Sequence, residues 1–280
     1  MKSPRLSIVI PCLNEADYLP TLLQDLVSQD IKEPFEVIVA DSSSDDSTLD
    51  AARQFEGQLN LKTTNTERMS AGHTRNAGAA IALGEFLLFL DADSGITPHF
   101  LRMLMAERDR HNADMMGSRY KSSSIHPFDR FMEYSRSLFF LYQFKHDNPL
   151  MAGCGQLVTH RNHVMVNGYR SNITLGEDWE YAERIAKVST HPKFFWTLPI
   201  TTSNRRFITD GRINTLLLAA DWAGGRPRQE INAMHKYKFG HYGSRNTERI
   251  RTVDLLTDFK LIIMTIRAIW ILSWSPLRWR

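Results

Sequence analysis

Three short apolar stretches, residues 6–11, 35–40 and 85–90, each run out into polar or acidic residues. Asn14 and Glu15 follow the first, Asp41 the second, and Asp91 and Asp93 the third. A near-continuous apolar run of this length reads as a strand buried on both faces. That is the condition of strands in a parallel sheet held between helices. Helical patterns fill the intervals: residues 18–27, 45–54 with acids in the first turn, the Ala- and Gly-rich stretch 70–83, and 98–110. Further strands are expected at 59–63 and 114–117. Such alternation builds βαβ units, and hence an α/β domain whose sheet is mostly parallel. Ligands bind these sheets beyond the carboxyl ends of the strands. Polar and acidic side chains delivered to that one edge by three strands mark a site.

Beyond residue 120 the pattern loosens. An aromatic-rich helix is expected over 128–144, a Gly-interrupted strand over 151–159, a helix opening on acids over 177–187, and a strand over 193–199. Residues 224–251 are basic and contain glycine, and they match neither period. A length of 280 residues accommodates one large domain, taken as residues 1–215, and a C-terminal helical region, residues 216–280. Hydrophobic residues at 42% and charged residues at 23% exclude a disordered chain. A net charge of +3 gives no ground for a nucleic-acid partner. Cys12 and Cys154 sit in unlike contexts and support neither a disulfide framework nor a zinc site, so a reducing, cytoplasmic compartment is the simplest expectation. The apolar run at residues 6–10 is too short for a signal-peptide core. No uninterrupted stretch of about 18 apolar residues is present to span a bilayer.

The strongest chemical signal is Asp91-Ala92-Asp93 at the end of an apolar strand. Two carboxylates so placed can reach one divalent cation, directly or through water. Mg2+ or Mn2+, which prefer oxygen donors, would bridge them to a diphosphate and neutralise charge on a departing nucleotide. Taken alone, such a pair is also an ordinary polar turn. Three further motifs accompany it. They are Ile8-Val9-Ile10-Pro11-Cys12-Leu13-Asn14-Glu15, the stretch from Val37 through Asp41, Ser42, Ser43, Ser44, Asp45 and Asp46 to Thr48, and Arg75-Asn76-Ala77-Gly78.

Together the four closely resemble the inverting family 2 glycosyltransferases of the GT-A fold, over roughly residues 5–190. The resemblance implies a GT-A, Rossmann-like α/β domain, a nucleotide-diphosphate-sugar donor and a hydroxyl acceptor. It also implies roles. Pro11, Asn14 and Glu15 line the nucleotide pocket, Asp41 faces the base or ribose, and Arg75 helps hold the nucleotide. Asp93 ligates the metal, with Asp91 close to the ribose or a metal-bound water. Independently, carboxylates at strand ends suit ribose hydroxyls, which donate hydrogen bonds. The plainer alternatives are a turn acid for Asp41 and a surface charge for Arg75.

A second centre is Gly176-Glu177-Asp178-Trp179-Glu180. Inverting transfer needs a carboxylate that takes the acceptor hydroxyl's proton as it attacks the anomeric carbon. The resemblance carries that role to Asp178, with Glu177 the close alternative; otherwise both acids are helix-start residues favoured by the macrodipole. Between the centres, Gly153-Cys154-Gly155-Gln156 would let backbone approach the sugar. Cys154 reads as a small buried residue, with no activating His adjacent in sequence. Arg205 and Arg206 are candidates to bind the diphosphate bidentately. Their surroundings depart from the Gln-Xaa-Xaa-Arg-Trp pattern of processive polymerases, which argues against a polysaccharide synthase. His235 and His241 read as surface histidines, with a late metal ligand the alternative.

Residues 259–274 are apolar and aromatic, with Lys260 and Arg267 on one helical face and Trp270, Trp274, Trp279, Arg278 and Arg280 around the end. That suits peripheral attachment to the inner face of a membrane, where a lipid-linked acceptor would be met, and equally a core-packing or oligomer contact. Two competing functions remain. A nucleotidyltransferase would show a Gly-rich basic loop after strand one, where this chain has Pro-Cys-Leu-Asn-Glu. A non-catalytic nucleotide-sugar-binding or scaffold protein would be free to lose Asp93 and Asp178, both of which are present.

Overall fold

A computed structural model of the chain describes residues 3–205. Arg206, His235, His241 and the 259–274 stretch lie outside the described residues. Seven strands form one sheet in the order β3-β2-β1-β4-β6-β5-β7. β1 (Leu6–Cys12), β2 (Phe35–Asp41), β3 (Leu61–Asn65) and β4 (Phe86–Phe89) are mutually parallel. β6 (Gln156–Thr159) runs against both β4 and β5 (Met115–Ser122), and β7 (Pro192–Thr202) runs parallel to β5. The mostly parallel α/β sheet expected from the sequence is therefore present, with one reversed strand near its middle.

Both faces of the central strands are covered, which is why β1, β2 and β4 are apolar without alternation. Ile8 and Ile10 face a core shared with α1 (Leu19–Val27), whose Leu19, Leu22, Leu23 and Leu26 are at most 1% exposed. Burial of each such leucine contributes about 1.5–3 kcal/mol. Val9, Ile38, Leu87 and Phe89 face the opposite core with Tyr169, Tyr181 and Ile185. On that side α3 (Ala71–Ala80) lies close against the strands, because a Cβ on Gly78 would stand only 2.5 Å from Val9 Cγ1. Ser70 caps α3 by accepting from the His73 N–H at 3.1 Å.

The structure departs from the sequence expectations at several ends. The helix expected from residue 45 is α2 (Thr48–Arg53), which starts later because the Asp46 carboxylate accepts from the Thr48 N–H (3.0 Å) and the Ala16 N–H (3.1 Å). Its acids fix a loop instead of opening a helix. The strand expected over 151–159 shrinks to β6, since Gly155 adopts φ +80° just before it. β5 and β7 are longer than expected. α6 (His160–Met165), capped by Thr159, was not anticipated at all. The expected helices over 98–110, 128–144 and 177–187 are α4 (Phe100–His111), α5 (Pro127–Lys145) and α7 (Glu177–Val188).

Candidate active site

Parallel pairing sets the strand ends side by side. Cys12 is level with Asp41, and Val9 with Phe89, two residues before Asp91. The loops that follow β1 and β2 are then tied together. The Asn14 N–H donates to Ser44 Oγ (2.9 Å), Asn14 Oδ1 accepts from the Asp45 N–H (2.8 Å), and the Glu15 N–H donates to Thr48 Oγ1 (2.9 Å). Asn14 holds a left-handed backbone, φ 57°, which asparagine tolerates better than most residues. Asp41 is buried and both its oxygens accept from Ser44, the contacts of a turn acid. Pro11 is half-buried within β1 beside them.

Two arginines organise the acids. Arg75, its side chain 5% exposed, donates from Nη2 to Asp91 Oδ1 and from Nη1 to Glu177 Oε1, both at 2.9 Å. It is a buried bridge between the two sequence motifs, not a surface charge. Its guanidinium carbon lies 5.4 Å from the ring centre of Tyr169, and the Asn76 amide fixes the Tyr169 backbone through two hydrogen bonds. A Cβ on Gly153 would meet Arg75 Nη2 at 2.5 Å, so that glycine makes room for the guanidinium. Arg205 donates to Glu15 Oε1 and Asp93 Oδ2, both at 2.8 Å, and lies over the Tyr18 ring. The expected candidate Arg205 thus joins Glu15 to Asp93 across the edge. Glu15 Oε2 is buried with no hydrogen-bond partner among the described residues. Burial lifts the Glu15 carboxyl to about 7, although Arg205 pulls it down.

The Asp178 carboxylate is held by backbone: Oδ2 accepts from the Gly153 N–H (2.8 Å) and Oδ1 from the Trp179 N–H (2.9 Å). Gln156, fully buried, donates to the Asp178 carbonyl and accepts from the Tyr169 hydroxyl. The Glu177 side chain is 12% exposed, and burial together with the adjacent Asp178 carboxylate raises its pKa against the pull of Arg75. Cys12 and Cys154 are free and buried, and burial raises both thiols, which makes either a poor nucleophile. Among the described residues no three His, Cys, Asp or Glu side chains converge as a metal group. Two carboxylates are nevertheless an adequate protein share for Mg2+ or Mn2+, whose remaining positions are ordinarily filled by substrate phosphates and water. Asp91 and Asp93 fit that donor set, and the Arg205 guanidinium already places positive charge against Asp93.

Tyr169 and Gln156 complete the buried support of the site. Tyr169 was not foreseen: it belongs to neither motif, and only its tertiary place beneath Arg75 gives it a role.

A mixed sheet of this order, with acids gathered at the ends of β1, β2 and β4 and the start of α7, has the architecture of the GT-A fold. The profile of glycosyl transferase family 2 matches residues 7–165, and the chain belongs to that family. Poly(ribitol-phosphate) beta-N-acetylglucosaminyltransferase TarS of Staphylococcus aureus is 36% identical over 115 residues, which cover 40% of this chain and 20% of that protein. The cholesterol galactosyltransferase of Borreliella burgdorferi is 24% identical over 213 residues, 69% of this chain and 59% of the relative. The matched region thus spans only part of either relative. Among solved structures, S. aureus TarS 1-349 in complex with UDP-GlcNAc gives a TM-score of 0.60 at 23% identity, covering 72% of this chain and 59% of that one. The mannosyltransferase PcManGT from Pyrobaculum calidifontis, in complex with GDP-Man and Mn2+, gives 0.63 at 19% identity, covering 85% and 66%. At these identities the likeness establishes the fold.

Proposed function

We propose that the protein transfers a sugar from a nucleotide-diphosphate donor to a hydroxyl acceptor with inversion, assisted by a divalent cation. The observation that carries this is the linkage of Asp91 to Glu177 through one buried guanidinium, Arg75, which sets the acids after β4 beside the acids that open α7. Donor chemistry and proton acceptance need those two groups on one site, facing opposite sides of the anomeric carbon. Support also comes from solved relatives whose complexes hold UDP-GlcNAc, or GDP-Man with Mn2+.

In this scheme the loops of Pro11, Asn14, Glu15 and Asp41 receive the nucleoside. Asp93 and Asp91 would hold Mn2+ or Mg2+, which when bound neutralises charge on the leaving diphosphate. Arg205 exchanges its ion pairs with Asp93 and Glu15 for the diphosphate oxygens, and Arg206 is assigned the same partner. Asp178, oriented by the Gly153 and Trp179 amides, takes the acceptor proton. Glu177 keeps Arg75 in place. Residues 1–215 form the catalytic unit, and the region 216–280 contacts the cytoplasmic face of a membrane, where the hydroxyl acceptor is lipid-linked.

The direct test is donor turnover with Mn2+ or Mg2+ and in excess chelator, for the wild type and Asp93→Ala. Activity is expected to need the cation and to be lost in the folded variant, with inverted product stereochemistry. Full turnover in chelator, or a retained anomeric configuration, removes the corresponding part of the scheme.

A further inference from the structure

A second cavity opens on the carboxyl edge of the sheet, of about 400 Å³, lined by Arg119, Lys121, Arg130, Phe131, Tyr134 and Pro199 among others. It arises from a break in β5–β7 pairing. Ser118 is level with Phe195 and Tyr120 with Ile200, so the single residue Arg119 stands opposite the four residues 196–199. β7 therefore bows away from β5 at this point, and such irregularities re-aim side chains. Arg119 turns over the Trp196 ring, 5.2 Å from its centre. That contact anchors the guanidinium, and among the described residues no hydrogen bond or ion pair engages its N–H groups.

The charge here is one-sided. Among the described residues three cations line the cavity and no Asp or Glu does. None of Arg119, Lys121 and Arg130 forms an ion pair among the described residues. The nearby Glu133 is taken by Arg136. The position is equally informative. Tyr120, which forms one wall, donates its hydroxyl proton to the Cys154 carbonyl at 2.6 Å, and the next residue back, Gly153, holds the Asp178 carboxylate. One side chain and a dipeptide thus connect the cavity to the candidate base.

We propose that this cavity is an acceptor subsite for a phosphate-bearing molecule, with Arg119, Lys121 and Arg130 binding its phosphate and the aromatic side chains lining its uncharged part. The assignment rests on the glycosyl-transfer scheme above for the word acceptor, but the phosphate site stands on its own contacts. An arginine whose N–H groups meet no partner among the described residues, a lysine and a second arginine are the donors that phosphate oxygens select.

Glycerol 3-phosphate is the soluble probe, titrated into the full chain by calorimetry. Phosphatidylcholine vesicles with and without phosphatidic acid are the lipid probe. Arg119→Gln and, as an exposed substitution that spares the core, Arg130→Glu should each weaken glycerol 3-phosphate about tenfold or more, with the thermal midpoint unchanged. Asp93→Ala should bind it as the wild type does. Loss of the soluble probe alone identifies a soluble phosphorylated acceptor, and loss of both probes identifies a phosphate carried on a lipid. Wild-type affinity in both variants, loss restricted to vesicles, or loss in Asp93→Ala overturns the proposal. UDP and GDP binding, titrated in parallel, separates the two layers. If neither nucleotide binds while glycerol 3-phosphate does, the donor scheme fails and the phosphate site survives.

Discussion

At the residue scale, the site is a set of carboxylates whose roles are separated by what holds them. Asp178 is gripped by two backbone N–H groups and Glu177 by a guanidinium, so the two neighbours are not interchangeable. Asp178→Asn should preserve donor affinity while lowering the transfer rate about 10²–10⁴-fold, the usual reach of a general base. Single-turnover kinetics beside equilibrium donor binding separates the two quantities; a near-wild-type rate would move the base to Glu177. Arg75→Gln leaves Glu177 enclosed without its cation. Since Asp91 is 40% exposed and regains water, the cost should fall at the low end for a broken buried pair, about 3 kcal/mol, read from urea unfolding. An unchanged midpoint would mean that Glu177 tolerates the loss by protonation. Asp41, Asp91 and Asp93 were legible as strand-end acids because they follow apolar runs, whereas Glu177 and Asp178 open a helix and were singled out only through the family resemblance. Their partners were not legible: Arg75 meets Glu177 from 102 positions away, and no local pattern encodes that encounter.

At the scale of elements, His163 ties α6 to α7. Its Nδ1 lies 2.7 Å from the Tyr181 hydroxyl, and burial, aided by His160 and Arg184, holds its pKa down at about 4. The folded protein therefore keeps this ring neutral where the unfolded chain would protonate it. Stability is fully present above about pH 6.5 and is lost as pH falls toward 4, by about 3 kcal/mol in all. Comparing urea midpoints of the wild type and His163→Gln across that window isolates the effect, since other carboxylates titrate alike in both. Parallel slopes would show that His163 titrates normally. The strands and helices of the first half were legible because continuous apolar runs and the 3.6-residue period are local signals. Direction is not one: β6 has the same apolar character as its neighbours, and only its pairing, Phe86 with Thr159 and Phe89 with Gln156, reveals the reversal. α6 is six residues long, too short for a period to declare itself.

At the scale of the whole molecule, charge is divided along the chain. Residues 206–280 contain thirteen Lys and Arg against six Asp and Glu, so the preceding part is net acidic although the total is +3. Among the described residues no helix is long and apolar enough to cross a membrane. A helix over 259–274 would reach about 24 Å, short of the roughly 30 Å hydrocarbon core, and Arg267 would be costly at its centre. Attachment in the interface avoids both penalties. The full chain should co-sediment with vesicles containing anionic lipid, and a version ending at Asp258 should do so less, with the difference shrinking in high salt. Equal recovery of the two in the supernatant would return the segment to a protein contact.

The place of β6 between β4 and β5 has a consequence for how the chain is made. β4 and β5 are both synthesised long before the strand that joins them, and each presents an apolar, unpaired edge until residue 156 emerges. Neither can be completed by a neighbour already present. The loop that enters β6 also carries Gly153, whose amide orients Asp178. Pairing of β6 thus precedes assembly of the base, which waits for Asp178 to follow and meet that amide, and a ribosome-bound fragment that stops short of β6 is both sticky and inert. Open strand edges of this kind are what holdase chaperones cover.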